Sequence, residues 1–297
     1  MRRLDLPITA QPGEARIFAA YCLEHSMPSW WGRRSVPCPV TMNLLYPSIG
    51  FGVGALVGLT GVGGGSLMTP LLVLVLGVHP SVAVGTDLLQ VSLTKAAGSL
   101  VHGFRDTVDW RITGTLALGS LPAAGATLLL LRWMGNATVA GHVLISVFLG
   151  ISLILTALVL LFRPQIVRLA GGREQALHPR GRGLLTVAAG AAIGFLVTLT
   201  SVGGGAIGTT VLLMLYPRIP MPRLVGSDIA HAMPLTLLAG VGHWILGTID
   251  WPLLGLLLSG SVPGIVIGSC LVSRVPEFAL RCILALVMAL VGSRMLI

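Results

Sequence analysis

Two long runs without a charged side chain constrain this sequence more than anything else in it. Ser35 to Thr86 holds no Asp, Glu, Lys or Arg, and Gly183 to Pro217 is equally bare. As one helix, Met42 to Val78 would measure roughly 55 Å at 1.5 Å per residue. A bilayer's hydrocarbon core is about 30 Å thick, so one straight span is excluded. Each run is cut by three adjacent glycines, in Thr60-Gly61-Val62-Gly63-Gly64-Gly65 and Thr200-Ser201-Val202-Gly203-Gly204-Gly205. Glycine is costly inside a helix and reaches backbone angles that other residues avoid. Each triplet therefore predicts a break, with a new short helix starting at Ser66 or Ala206. The first run divides into Asn43 to Thr60 and Ser66 to Gly77, the second piece being too short to cross alone. Pro70 falls near the start of that piece, where a missing N–H does little damage. A re-entrant hairpin or a discontinuous helix is expected.

Composition places the rest. Charged residues make up 10% of the 297 and hydrophobic ones 54%, with a mean hydropathy of +0.91. A soluble domain carries about 25% charged residues. The chain reads as an all-α polytopic membrane protein with no room for a large soluble domain. Its net charge of +9 comes from arginines near the ends of apolar segments, which suits orientation by the positive-inside rule. Without a basic face or aromatic platform, nucleic acid is not an expected partner. The four cysteines show no CxxC or Cys/His spacing, so neither a metal site nor a redox pair is expected. Cys270 and Cys282 read as small core residues. No cofactor is implied.

Six further spans follow the pattern: Ser81 to Phe104, Ile112 to Leu131, Thr138 to Phe162, Arg223 to Gly247, Trp251 to Val272 and Phe278 to Leu296. With the two broken segments this makes about eight helical units. Residues 1–41 differ, with five arginines and the pair Trp30-Trp31. They lack a small-residue cleavage site. They read as an interfacial segment or as an upstream extension with Met42 as the true start. The second is the expectation, because the membrane pattern begins just after Met42.

The two halves repeat. Thr60, Val62, Gly63, Gly64 and Gly65 return 140 positions later as Thr200, Val202, Gly203, Gly204 and Gly205. At an offset of 141, Gly85-Thr86-Asp87 returns as Gly226-Ser227-Asp228. His102 returns as His243, Asp109-Trp110 as Asp250-Trp251, and Gly119-Ser120-Leu121-Pro122 as Gly260-Ser261-Val262-Pro263. So many ordered matches signal internal duplication. The expected division is a tail over 1–41, a membrane repeat over 42–162, a cytoplasmic linker over 163–182 and a second repeat over 183–297. Gly-interrupted segments at matching places in duplicated halves point to a transport site at the repeat interface. Suppose each broken segment returns to the side it entered from. The loops with Arg105 and Arg111, Arg218 and Arg223, and Arg274 then join the linker inside, leaving only Arg132 and Arg294 outside. The positive-inside rule thus favours hairpins and inverted halves. Counting the arginines of the tail as ordered would reverse that preference.

The Gly54 and Gly58 opening, the Thr-Gly-Val-Gly-Gly-Gly break, the Gly-Thr-Asp segment, His102 with Asp109-Trp110, and their echo in the second half resemble the sulfite exporter TauE/SafE family of membrane permeases. The resemblance covers about residues 43–297, and the glycine break is its most diagnostic motif. It implies an anion permease of the cell (cytoplasmic) membrane that moves sulfite, sulfonates or related sulfur-containing anions, with export as the expected direction. The acidic Asp87 and Asp228 depart from the neutral or hydroxyl residue expected there, which leaves substrate and ion coupling open.

The residues themselves suggest roles. A helix N-terminus binds oxyanions through free N–H groups and a partial positive charge. The substrate site is accordingly expected at Thr60, Gly61, Gly63, Gly64, Gly65 and Ser66 and at Thr200, Ser201, Gly203, Gly204 and Gly205. Close helix packing is the plainer use of such glycines. Asp87 and Asp228 read either as coupling groups or as solvated carboxylates near the interface. As coupling groups they would exchange protons, or orient the hydroxyls of Thr86 and Ser227. Lys95 would attract the anion or pair with an Asp, and His231 would relay protons beside Asp228. His102 and His243 fall near span ends and read as interface residues. The Asp-Trp pairs read as a helix start with an interfacial anchor.

Two other classes compete with a permease of small anions. A serine hydrolase using Ser66 and His102 is opposed by Ala206 at the equivalent place. A divalent-metal permease would need its acids and histidines to converge. Import, or another small anion, remains open, and nothing in the sequence sets an oligomeric state.

Overall fold

A computed structural model describes residues 39–60, 65–104, 108–134, 139–171, 179–202, 204–271 and 277–296. All the described regular structure is helical, in ten helices. These are α1 (Pro39–Thr60), α2 (Gly65–Leu74), α3 (Pro80–Phe104), α4 (Trp110–Met134), α5 (Val139–Gly171), α6 (Pro179–Thr200), α7 (Ala206–Leu215), α8 (Met221–Ile245), α9 (Trp251–Leu271) and α10 (Glu277–Leu296). The chain divides at Met42, and residues 43–297 form one compact unit. Within the first unit only the opening of α1 is described, so the expectations for residues 1–38 fall outside the described residues.

Each expected glycine break falls between a long helix and a ten-residue one, α2 or α7. The second break is described in part. Helix α6 ends at Thr200, and Ser201 takes a left-handed φ of 58°. Its N–H still reaches Val197 O at 2.7 Å, while Thr200 Oγ1 accepts from the Val202 N–H at 3.1 Å. Gly205 then caps α7 with no side-chain hydrogen bond.

Helix α5 runs to Gly171 and α6 starts at Pro179. Much of the 163–182 stretch, expected to be a polar linker, is therefore helical. Arginines end a membrane span, but nothing in them ends a helix.

Among the described residues, four helices are long and apolar enough to cross a bilayer: Trp110–Met134, Ile145–Ile166, Gly181–Thr200 and Met221–Ile245. The outer faces carry Leu118, Leu129, Leu155, Leu184, Val266, Leu286 and Leu290, all exposed. In water such a surface would aggregate; lipid is its natural solvent. Inside, Leu67, Met68 and Leu72 of α2 pack with Leu149, Leu153, Leu257, Leu284 and Met288. Val84, Leu88, Ala124, Ile193, Val197 and Leu235 form a second core.

The close approaches recur at matching places in both halves. A Cβ on Gly119 would strike Val187 O, and one on Gly260 would strike Pro47 O. Gly190 abuts Leu116 O as Gly50 abuts Leu257 O, and Gly194 abuts Ser120 O as Gly54 abuts Ser261 O. Only glycine permits backbones this near one another, as in other membrane helix pairs. Thus α6 lies parallel to α4, and α1 lies parallel to α9. By contrast α3 and α8 pack antiparallel, with Gly240 on Leu89 and Gly85 on His243. So do α5 and α10, where Gly150 meets Leu296 and Gly292 meets Ile154. The first long helix of each half is therefore seated on the other half.

Candidate functional site

The site begins with two reciprocal hydrogen bonds. Thr86 Oγ1 accepts from the Asp250 N–H at 3.2 Å, and Ser227 Oγ accepts from the Asp109 N–H at 2.8 Å. These hydroxyls are therefore engaged by the opposite half, instead of being oriented by the adjoining carboxylates. The two aspartates cap α4 and α9: Asp109 Oδ1 accepts from the Ile112 N–H at 3.3 Å, and Asp250 Oδ1 from the Leu253 N–H at 3.0 Å. Trp110 and Trp251 beside them are exposed. That is the expected cap-and-anchor pair.

Beyond these hydroxyls lie the ionisable residues, all buried: Asp87 at 0% exposure, Lys95 at 8%, Asp228 at 2% and His231 at 1%. The reading of the two aspartates as solvated interfacial groups is therefore overturned. Seven residues from a helix start is already two turns deep, and the neighbouring helices cover the rest. His243 is also fully buried. Its Nδ1 is 2.9 Å from Thr248 Oγ1, and its Nε2 is 3.0 Å from Thr198 O. The expectation that it sits at the interface fails, because α8 packs that face on α3 and α6. The side chain of His102 lies outside the described residues.

Each carboxylate rests on the short piece of its own broken segment. Thr69 of α2 donates from Oγ1 to Asp87 Oδ2 at 2.5 Å. Asp228 packs against Gly208 in the first turn of α7, where a Cβ would meet its Oδ1. The Ser201 hydroxyl also neighbours Asp87. Lys95 joins the halves. Its Nζ donates to Gly204 O, in the second break, at 3.0 Å, and its charge acts on Asp228 and on Asp87. It is the only lysine in the chain. His231 Nε2 is 2.7 Å from Ser120 Oγ.

Of the expected residues, the structure brings together Ser201, Gly204, Asp87, Lys95, Asp228 and His231. Thr200 sits just behind them, bonded to Leu196 O at 2.6 Å. Gly205 heads α7, whose first N–H groups lack helical acceptors, as at every helix start. Gly61, Gly63, Gly64 and Gly203, with the side chains of Thr60 and Ser66, lie outside the described residues. Gly65 opens α2.

Thr69, Ser120, Ser261 and Gly208 were not anticipated as parts of the site. The serines did carry a signal: the Gly-Ser-x-Pro repeat marks both, and it reads in sequence only as a duplication marker. Asp87, Gln90, Thr94 and Ser261 line a small cavity with Val53, Gly54 and Met68. Its accessible volume is about 10 Å³, room for about one water molecule. Among the described residues, no group of three or more His, Cys, Asp and Glu converges.

An apolar outer surface around buried charges and broken helices defines a multi-pass membrane protein. The sequence matches the family described as sulfite exporter TauE/SafE over residues 46–295, and the chain belongs to that family of membrane transporters. It is 37% identical over 256 residues to the probable membrane transporter protein YjnA of Bacillus subtilis, covering 86% of this chain and 100% of that one. A probable membrane transporter protein of Xylella fastidiosa is 28% identical over 79% of this chain and 87% of its own. A second Bacillus subtilis relative, the probable membrane transporter protein YdhB, is 26% identical over 82% and 95%. No solved structure matches it.

Proposed function

We propose that this protein exports a small sulfur-containing anion, sulfite or an organosulfonate, across the cytoplasmic membrane. The observation that carries the reading is Lys95, the sole lysine, buried in the first half and bonded to the second half's break at Gly204 O. A desolvated ammonium beside a helix start is a site for a compact oxyanion. Thr60, Gly61, Gly63, Gly64, Gly65 and Ser66 of the first break and Thr200, Ser201, Gly203, Gly204 and Gly205 of the second bind the anion. Asp87, Asp228 and His231 serve ion coupling, since a carboxylate touching the anion would repel it.

The halves, 42–162 and 183–297, are inverted about an axis in the membrane plane, with the 163–182 segment cytoplasmic. What supports this is that equivalent helices pair antiparallel, α3 with α8 and α5 with α10. Rocking of one half's hairpin unit against the rest would open the site to each side in turn. The membrane voltage suffices as a driving force. An interior-negative potential favours exit of a dianion by roughly 4.6 kcal/mol per 100 mV.

The test is the apparent melting temperature of the purified protein with sulfite, organosulfonates and sulfate. One sulfur anion should raise it saturably, and Gly204→Val, whose side chain would crowd Lys95, should abolish the rise. If no small sulfur anion shifts the wild-type protein, the substrate class is wrong. The same titration with other small anions tests the competing reading, a permease for one of those.

A further inference from the structure

The two halves settle equivalent polar positions differently. In the second half, His231 fills its position and bonds Ser120. The equivalent pair is Gln90 of the first half and Ser261 of the second, and among the described residues Gln90 Oε1 and Ser261 Oγ have no hydrogen-bond partner. Asp87 Oδ1 is also unpartnered there. All three side chains line the one-water cavity between α1, α3 and α9, joined by Thr94. Asp87, Gln90 and Thr94 share one face of α3, at spacings of three and four.

Such a set is made of hard oxygen acceptors: a carboxylate, an amide carbonyl and hydroxyls. An anion is repelled by it, and a soft metal would find a single thioether, Met68, with no thiolate or imidazole. The charge count points the same way. Two buried carboxylates, Asp87 and Asp228, face one buried ammonium, Lys95. That ammonium already donates to Gly204 O. An ionised Asp87 is therefore one positive charge short, a deficit that a bound cation or a proton would fill. A divalent cation would overshoot the deficit.

We infer that the cavity lined by Asp87, Gln90, Thr94 and Ser261 is a binding site for one sodium ion. The inference rests on the reading of this interior as the transport pathway and of Asp87 as a coupling group. Sodium there cancels the carboxylate's repulsion, so sodium and the substrate anion raise each other's affinity, as linkage requires. Dianionic sulfite leaving with one sodium keeps one net negative charge, so the voltage still favours its exit, whereas an organosulfonate monoanion would leave as a neutral pair.

The experiment measures the apparent melting temperature of the full chain in detergent at constant ionic strength, in sodium, potassium or choline chloride. Sodium alone should give a saturable rise of several degrees. Ser261→Ala keeps the carboxylate and should weaken half-saturation about tenfold, whereas Asp87→Asn should remove the rise. If Asp87→Asn does not fold, Ser261→Ala decides alone. Equal melting in all three salts overturns the inference, as does a rise that follows pH but not sodium, which would make the guest a proton. An unchanged half-saturation in Ser261→Ala also overturns it. Repeating the sulfur-anion titration in choline separates the two readings. A surviving anion shift with no sodium shift sinks only the sodium site. No anion shift in either salt sinks the substrate reading.

Discussion

Replacing Gly208 by alanine isolates the contact between Asp228 and α7. The three atoms nearest a Cβ at this position are Oδ1, Cγ and Oδ2 of Asp228, with Oδ1 inside any permitted distance. The side chain must therefore move, or α7 must. Forcing a methyl into a packed interior costs about 1–3 kcal/mol, partly offset by roughly 1 kcal/mol of improved helix propensity. Gly208→Ala alone should lower the apparent melting temperature by a few degrees, at about 2–4 °C per kcal/mol for a chain somewhat smaller than this one. In an Asp228→Ala background the three nearest atoms are gone, and the propensity gain of about 1 kcal/mol should dominate. There the same substitution should stabilise. The assay is a double-mutant cycle by thermal unfolding in detergent, and the expected signature is a change of sign. Additive effects would show that Asp228 does not rest against α7, and the placement of the second carboxylate would be wrong.

Three more substitutions bear on the rest of the site. Ser120→Ala strands His231 Nε2 in a buried setting and should cost about 1–3 kcal/mol; Ser120→Thr, which keeps the hydroxyl, should recover most of it in the same unfolding assay. Gly119→Leu or Gly260→Leu drives a side chain into the backbone of α6 or α1. Either should give aggregated instead of monodisperse protein on size exclusion, while Gly125→Ala, with open space around it, should be silent. Lys95→Met should abolish the sulfur-anion melting shift while the protein stays folded. In the wild type, a bound anion should slow acylation of that single lysine by an amine-reactive reagent.

The span limits were legible because apolar runs and arginine flanks are local properties, and α3, α4 and α8 start within two residues of their expected positions. The breaks were legible because three glycines in such a run have few other uses. The repeat was legible in its spacing. Burial of Asp87, Asp228 and His243 was not, because it depends on which helix covers which face. Nor was the pairing of Thr86 with Asp250 across 164 residues, which no local pattern encodes. Ser120 and Ser261 show the difference most sharply. Identical in the repeat, they acquire unlike surroundings because one faces His231 and the other Gln90.

The seating of α1 on α9 has a consequence for how the chain is made. Gly50 and Gly54 find their partners at Leu257 and Ser261, about 200 residues later. At about 5–20 residues per second this is a wait of roughly 10–40 s. During that time the nascent first helix sits in lipid with a glycine-lined groove and nothing in it. Insertion must therefore precede assembly by a long interval, and any helper that shields such grooves at the translocon would act on this chain before its final third has emerged.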